Sequence, residues 1–236
     1  MNRNAFTSTS LARKASPLLA AALLTLSLGS FPLTARAQTA TPATPLERQI
    51  HKMDLALTGV GEYNTTVHGP VVSGLLASDQ GQVVTQFGSN TFGALATLRY
   101  VARPYFGLEF NYGYARYTEN YTVAPYQIQT KVNEYTIGYV ATPPHPILGL
   151  QPYVGAGAGS IAFKPTAKGG EGAPEKARAA YYYTLGVQKD FDNGHLGLRA
   201  GFRELFFLDP DFGQNYLTIL KHANTYEPQA GFYLRY

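Results

Sequence analysis

The stretch that decides the fold is Phe106-Gly-Leu-Glu-Phe-Asn-Tyr-Gly-Tyr114. Its even positions hold apolar side chains, whereas its odd positions hold Gly, Glu and Asn. Because successive side chains of a β-strand point to opposite faces, this alternation predicts a strand with one apolar face and one polar face.

The same alternation recurs along the chain and predicts eight strands. A bilayer crossing by a tilted strand takes about 9–11 residues, and these segments are long enough for it. No stretch after residue 37 reaches the length of about 18 apolar residues that a membrane helix needs. The predicted strands lie at about 54–64, 91–102, 106–114, 127–141, 150–163, 178–190, 195–207 and 225–236.

The lengths of the connections between these strands alternate along the chain. After the second, fourth and sixth strands they are short, whereas the other four are long, at roughly 65–90, 116–127, 164–177 and 208–224. Short turns at one end and long loops at the other are typical of outer-membrane barrels. We therefore predict an all-β fold, an eight-stranded antiparallel transmembrane up-and-down β-barrel built from residues 53–236.

Which face points into the barrel separates a membrane protein from a soluble one. A soluble barrel turns its apolar face inward, whereas a membrane barrel turns it toward lipid. Here the polar face combines many Gly residues with Glu and Arg, which suits a narrow lumen better than a solvated surface. Tyr and Phe near the strand ends suit interfacial girdles. The predicted inward polar network is Glu62, Arg99, Glu109, Asn111, Glu134, Arg199, Arg203, Glu227 and Arg235.

The first strand is less regular than the others. If Glu62 faces inward, then Leu55, Leu57 and Tyr63 face outward. Charges inside such a lumen should pair, because an unpaired buried charge is costly. The network could be purely structural, or it could gate a narrow conduction path. Eight strands leave an interior about wide enough for side chains, so we expect no wide pore.

The N-terminal segment predicts export. Residues 1–37 contain four basic residues and no acid, then an apolar run at 17–28, and end in Ala35-Arg36-Ala37. This pattern predicts a secretory signal peptide cleaved after Ala37. Residues 38–52, rich in Thr and Pro, predict a flexible lead-in. Of 19 basic residues, 15 remain beyond residue 37 against 15 acidic ones, so no electrostatic footprint for nucleic acid is expected.

Two segments carry a resemblance to a known family. The ending Phe232-Tyr-Leu234-Arg-Tyr236 resembles the C-terminal strand of bacterial outer-membrane barrels, in which the last residue is usually Phe or Trp. The segment Gln151-Pro-Tyr-Val-Gly-Ala-Gly-Ala-Gly159 is similar to the Gly-rich strand of small barrels of the outer membrane protein A transmembrane type, including the opacity porins.

The resemblance implies a place and a set of partners. It implies a monomer in the bacterial outer membrane, with both termini in the periplasm and four long loops outside. It implies contact with outer-membrane lipid, and recognition of Phe232, Leu234 and Tyr236 by the barrel assembly machinery. An extracellular ligand would bind through the loops, since loops carry recognition.

Residues for catalysis or metal binding are sparse. The chain has no Cys, which excludes thiolate sites and Cys nucleophiles. The five His residues lack the spacing of a metal site, and none lies within four residues of Ser73, Ser78, Ser89 or Ser160 in sequence. We therefore expect that the protein is not an enzyme and that it binds no metal and no cofactor. The predicted role is structural, surface interaction or narrow passage of small solutes. The alternatives are a lipid A-modifying enzyme and a periplasmic lipocalin-like carrier with an apolar lumen.

Overall fold

The computed structural model describes residues 44–72, 78, 80–122, 127–191, 194–212 and 219–235. The predicted signal peptide with Ala35 and Ala37 lies outside these residues, as does Tyr236. The elements are α1 (Pro45–Ile50), β1 (Met53–Asn64), β2 (Thr66–Pro70), β3 (Val83–Gly88), β4 (Thr91–Arg103), β5 (Phe106–Tyr121), β6 (Gln127–Ala141), β7 (Gln151–Pro165), β8 (Lys176–Asp190), β9 (Leu196–Leu208) and β10 (His222–Arg235).

Eight of the strands close into an antiparallel barrel. Each of β4 to β9 pairs with the next strand in the chain, and β1 pairs with both β4 and β10. The seam between β1 and β10 runs from Asp54 opposite Arg235 to Asn64 opposite Thr225. The predicted fold class is therefore confirmed.

The structure corrects the predicted loops. Instead of one loop over 65–90, β2 and β3 continue the β1–β4 pair, and Gln86 on β3 pairs with Tyr121 on β5. The expected loop at 116–127 is mostly strand, because β5 alternates as far as Tyr121. Outward residues there change from Tyr114 to Arg116, and this change from apolar to polar made the strand resemble a loop. We call this end of the barrel the long-loop end.

At the opposite, short-turn end, the connections match the prediction. Pro104 and Tyr105 join β4 to β5, and Tyr105 has a positive φ of 61°. The connection from β8 to β9 is five residues long, at 191–195. The same end also carries α1.

Helix α1 differs from the predicted flexible lead-in. Thr44 caps it, because the Glu47 amide donates to Thr44 Oγ1 at 3.2 Å and the Thr44 amide donates to the Glu47 carboxylate at 2.6 Å. This reciprocal capping box, followed by Pro45 at the first helical position, fixes the helix start. Tyr100 on β4 donates to Gln49 at 2.5 Å and so ties α1 to the barrel. No helix in the described residues is long and apolar enough to cross a membrane.

The outer wall of the barrel is a belt of exposed apolar side chains. Leu57 is 65% exposed and Ile137 is 62% exposed, while Asp54 and Thr58 on the inner face of β1 are buried. The structure therefore settles the phase of the first strand, which the sequence left open, with Leu55, Leu57 and Tyr63 facing outward. On β5 the belt runs from Phe106 to Tyr114. Such a surface is stable against hydrocarbon rather than water, and residues of β5 from Arg116 onward lie beyond it.

Candidate functional site

The inner face of the barrel gathers charged side chains from six strands. Strict alternation places Arg99 on β4 and Glu109 on β5 inward, as it does for all odd positions of β5. Eight predicted residues lie inside, one at the rim, and three unpredicted ones join them. The inside residues are Asp54, Glu62, Arg99, Glu109, Asn111, Glu134, Tyr182, Gln188, Arg199, Arg203 and Glu227.

The first set, which we call the short-turn layer, holds two buried ion pairs. Arg99 donates to Glu109 from Nη2 at 2.8 Å and from Nε at 3.2 Å. Arg199 donates to Asp54 at 2.7 Å. Gln188 links the pairs, because its Oε1 accepts from Arg99 Nη1 at 3.3 Å and from Arg199 Nη2 at 3.1 Å. All four charged side chains are at least 96% buried.

The second set, which we call the central layer, is built around Arg203. Its Nη1 donates to Glu134 Oε2 at 2.8 Å and to Glu227 Oε2 at 2.7 Å, and its Nη2 donates to Glu134 Oε1. Thr136 accepts a further bond from Nη2 at 3.2 Å. One guanidinium thus ties β6, β9 and β10 together across the lumen. Charge-assisted, two-pronged bonds of this kind are among the strongest in proteins.

Tyr182 joins the two layers. Its hydroxyl donates to Glu109 at 2.8 Å and accepts from Asn111 at 3.0 Å, and its ring lies 4.3 Å below the Arg203 guanidinium. The ring fits because the wall opposite is glycine: a Cβ on Gly157 would lie 2.6 Å from it. The glycines of segment 151–159 therefore leave room for large side chains from the neighbouring strands.

Tyr153 and Tyr233 pack in the same way nearer the short-turn end. Tyr153 lies under Arg99 at 4.5 Å and Arg199 at 5.8 Å, and Tyr233 faces Arg199 at 4.9 Å. A Cβ on Gly197 would lie 2.4 Å from the Tyr233 ring. Arginine and tyrosine therefore alternate through this part of the lumen.

Two predicted residues lie at the edge of the network. Glu62 lines a cavity of about 20 Å³ beside Glu134 and Glu227, and no ion pair joins it to a base within the described part of the chain. Arg235 lies at the short-turn rim, where it donates to Asp190 at 2.9 Å, and both side chains are at least one-third exposed. It therefore belongs to the barrel mouth rather than to the buried network.

Toward the long-loop end the lumen becomes apolar, which the sequence did not predict. The rings of Phe163 on β7 and Phe207 on β9 contact each other at a tilt, with centroids 5.5 Å apart, and Phe212 from the segment after β9 is completely buried in the same cluster. We call this cluster the apolar cap: Val67, Val71, Val84, Tyr117, Tyr121, Ile128, Val132, Ile161, Phe163, Leu205, Phe207, Phe212, Ile219 and Ala223.

Polar bonds hold the segment after β9 over the cap. Gln86 donates to the Pro210 carbonyl at 3.2 Å, and Arg178 forms an ion pair with Asp211. Two buried acids, Glu119 and Asp209, lie in the same region, beyond the apolar belt. Burial raises the pKa of Glu119 to about 7, and burial together with the charge of Glu119 raises the pKa of Asp209.

The short-turn end is open by comparison. A vestibule of about 450 Å³ leads inward to Asp54 and Gln188, and Arg103, Asp190 and Arg235 are at its rim. It therefore ends at the short-turn layer. No group of three or more His, Asp or Glu side chains in the described ranges could hold a metal ion.

Three members of the network were missed, although two had a usable signal. Asp54 and Gln188 share the parity of Glu62 and Thr184, respectively, so alternation alone would have placed both inward. Tyr182 lies in the run Tyr181-Tyr-Tyr183, where alternation gives no contrast between faces. Of the predicted assembly signal, Phe232 and Leu234 lie on the outer wall, 58% and 50% exposed.

A closed eight-stranded barrel with an apolar wall and an ion-paired lumen defines the class: this chain is a transmembrane β-barrel. No family model matches it. No curated protein matches it in sequence.

Solved structures of other barrels are similar to it. For Neisserial surface protein A the identity is 13% and the TM-score 0.49, covering 78% of this chain and 97% of that one. The N-terminal β-barrel domain of Pseudomonas aeruginosa OprF has 13% identity and a TM-score of 0.40, covering 77% and 97%. Outer membrane protein AlkL has 12% identity and a TM-score of 0.42, covering 76% and 89%.

Proposed function

We propose that this chain is an integral protein of a bacterial outer membrane, exported by its N-terminal segment, with its short-turn end in the periplasm. Its role is that of a closed structural barrel that displays the long-loop end for surface interaction. The observation that carries this proposal is the filled lumen, in which two ion-paired layers and the apolar cap lie in series.

The apolar belt supports the membrane placement. Leu57, Ile137 and Phe232 would each expose most of their surface to water in a soluble protein. A lipocalin-like carrier would need the reverse arrangement, with an apolar ligand cavity inside. Phe232 and Leu234 are also accessible on β10, as recognition by an assembly machinery requires.

The filled lumen supports a structural role over a pore. The two internal cavities that adjoin the layers measure about 20 and 10 Å³, which is about the space of a single water molecule. Narrow passage of small solutes is the second candidate, because the vestibule reaches Asp54 and Gln188 from the periplasmic side.

Two measurements test the proposal together. On a gel, the protein from isolated outer membranes should change mobility only after boiling in SDS, because a closed barrel resists the detergent until heated. In planar bilayers the wild-type barrel should show no steady conductance. Steady channels in the wild type would establish passage, and a soluble periplasmic protein without the gel shift would contradict the barrel placement.

A triple variant sharpens the conductance test. Arg203→Ala removes the centre of the central layer, Arg99→Ala breaks the Arg99–Glu109 pair of the short-turn layer, and Phe212→Ala removes part of the apolar cap. If these three barriers seal the lumen in series, the triple variant should conduct while each single variant conducts less. The gel shift confirms that each variant still forms a barrel.

We also propose that the barrel is not an enzyme. Ser89 Oγ accepts from the Thr118 amide at 3.0 Å, and Ser160 lies between Tyr135 and Ala179 in register. Neither contact is to a histidine. Ser89→Ala and Ser160→Ala should therefore leave the lipid A of the host cell unchanged by mass spectrometry. Loss of an acyl or phosphate modification in either strain would support the enzyme alternative.

A further inference from the structure

Three basic side chains form a row on the outer wall, one on each of three neighbouring strands. Arg116 on β5 is directly opposite Lys131 on β6, and Lys131 is directly opposite Lys164 on β7. All three point outward and are exposed. Neighbouring strands lie about 4.8 Å apart, so the row is about 10 Å wide. We call it the basic row.

Like charges directly opposite each other destabilise a sheet. Within the described residues the row contacts one acid, since Lys164 pairs with Glu175 at 3.3 Å. Among the residues that the structure describes, Arg116 donates to the neutral side chain of Gln129. The row therefore keeps an excess of two positive charges. An anion that lies against the row would relieve this repulsion.

The height of the row indicates where such an anion would be. Phe106 lies at the short-turn end of the belt, and Arg116 lies ten residues further along β5. At about 3.3 Å per residue and a tilt of about 40°, this rise is about 25 Å, the height of the apolar band of such barrels. Tyr112 and Tyr135, paired across β5 and β6, lie just below as an aromatic girdle. The row thus begins where hydrocarbon ends and headgroups start.

The row is also confined to one side of the barrel. Near the long-loop ends of β1, β4 and β10, the outward side chains are Tyr63, Phe92 and Tyr226. Basic side chains that served only solubility would be distributed around the whole rim. A one-sided row instead fits a ligand of limited size held at one place.

We propose that the basic row binds the phosphate groups of a phosphorylated lipid in the outer leaflet. This rests on the outer-membrane placement proposed above. A guanidinium binds phosphate oxygens in pairs and ammonium groups bind them as point charges, so Arg116, Lys131 and Lys164 suit a headgroup with more than one phosphate. The acyl chains of that lipid would lie along the belt below.

Native mass spectrometry of the detergent-solubilised full chain tests this, with diphosphoryl lipid A as the probe. The triple variant Arg116→Gln, Lys131→Gln and Lys164→Gln should bind it on the order of 100-fold more weakly, from about fivefold for each charge near an anionic lipid surface. The matched control is Arg48→Gln, Lys52→Gln and Lys189→Gln, which removes the same charge at the short-turn end. It should bind like the wild type.

Further measurements distinguish the phosphate of a lipid headgroup from free inorganic phosphate. Glu175→Gln should tighten binding about fivefold, because it removes the one acid in contact with the row. Wild-type protein should bind dephosphorylated lipid A no more tightly than the triple variant binds diphosphoryl lipid A. If the triple variant binds like the wild type, or the control loses as much, the inference is wrong. If excess inorganic phosphate displaces the lipid completely, the row is a free-phosphate site and the lipid assignment is wrong.

The gel shift keeps the two proposals apart. If wild type and variants all resist SDS until boiled but bind the lipid equally, only the basic row is refuted. If none shows the shift, the barrel placement itself fails.

Discussion

The central layer and the apolar cap fill neighbouring lengths of one lumen with opposite chemistry. In the central layer, Arg203 donates to Glu134 at 2.8 Å and to Glu227 at 2.7 Å, so each charged group needs a partner of opposite charge at hydrogen-bond distance. In the cap, Phe163 and Phe212 are equally buried but need only neighbours of the right volume. The central layer is therefore stabilised by specific ion pairs, whereas the apolar cap is stabilised by side chains that fill its volume.

The largest expected effect comes from breaking the central layer. Arg203→Met leaves two buried carboxylates without their cation, and such a break costs about 3–5 kcal/mol. Urea unfolding in lipid vesicles, followed by gel mobility, measures it. The triple variant Arg203→Met, Glu134→Gln and Glu227→Gln should recover most of the loss. If Arg203→Met alone costs less than about 1 kcal/mol, the matched-partner account is wrong.

In the cap, a loss of volume is the corresponding test. Phe163→Ala should cost about 3 kcal/mol, whereas Phe163→Leu should cost less than about 1.5 kcal/mol because it nearly conserves the volume. The same unfolding experiment gives both values. An equal cost for the two variants would indicate that a specific ring contact, rather than filled space, stabilises the cap.

The glycine wall beside Tyr182 predicts a smaller effect. A Cβ on Gly157 would lie 2.4 Å from the Ile137 carbonyl, so Gly157→Ala should cost about 1–3 kcal/mol by overpacking. Gly59 is the matched control, since its Cβ would meet nothing closer than 3.8 Å. Gly59→Ala should be neutral or slightly stabilising in the same urea titration. Equal effects would mean that the wall has room to move.

The pH dependence of the cap gives a graded effect. Burial raises the pKa of Glu119 to about 7 from an ordinary 4.5, so the folded state holds a proton that the unfolded chain releases between these values. Cap stability is therefore greatest below about pH 4.5 and falls as the pH rises to about 7.

Hydrogen exchange of residues 205–212 at pH 5 and pH 8 measures this change. Exchange should be faster at pH 8 than intrinsic rates explain. Several groups face the acid pair: Tyr117 and Gln86 bond to Glu119, and Arg178 lies near Asp209. Glu119→Gln should flatten the profile, and an unchanged profile in this variant would assign the pH dependence to another group.

The smallest effect is expected at the rim. Arg235 and Asp190 are joined at 2.9 Å, but both side chains are more than one-third exposed. Arg235→Gln should therefore cost less than about 1 kcal/mol, in contrast to Arg203→Met. A cost as large as that of the buried break would show that the rim belongs to the network after all.

Most of the barrel could be predicted because one rule, alternation, governs every strand. Glu109, Glu134 and Arg203 could be placed inside on parity alone. Their pairing could not, since the Arg203 contacts join β6, β9 and β10, whose registers depend on the closed sheet. The apolar cap was missed because Phe163 and Phe207 are inward but apolar, and this contradicts the assumption of a uniformly polar lumen. The α1 capping box, Thr44-Pro-Leu-Glu47, has the sequence signature of a helix start, but the surrounding Thr and Pro residues favour a flexible segment.

The seam between β1 and β10 also has a consequence for the order in which the barrel forms. Every other membrane-spanning pair joins strands that are neighbours in the chain or separated only by a hairpin, whereas Thr58 meets Gln229 across 171 residues. Contacts so distant in sequence form slowly, because a long segment of chain must first become ordered. Until β10 arrives, β1 and β9 each present an unpaired edge that can join a second chain. A shielding factor that holds these two edges would therefore speed correct closure more than one that holds any other pair of strands.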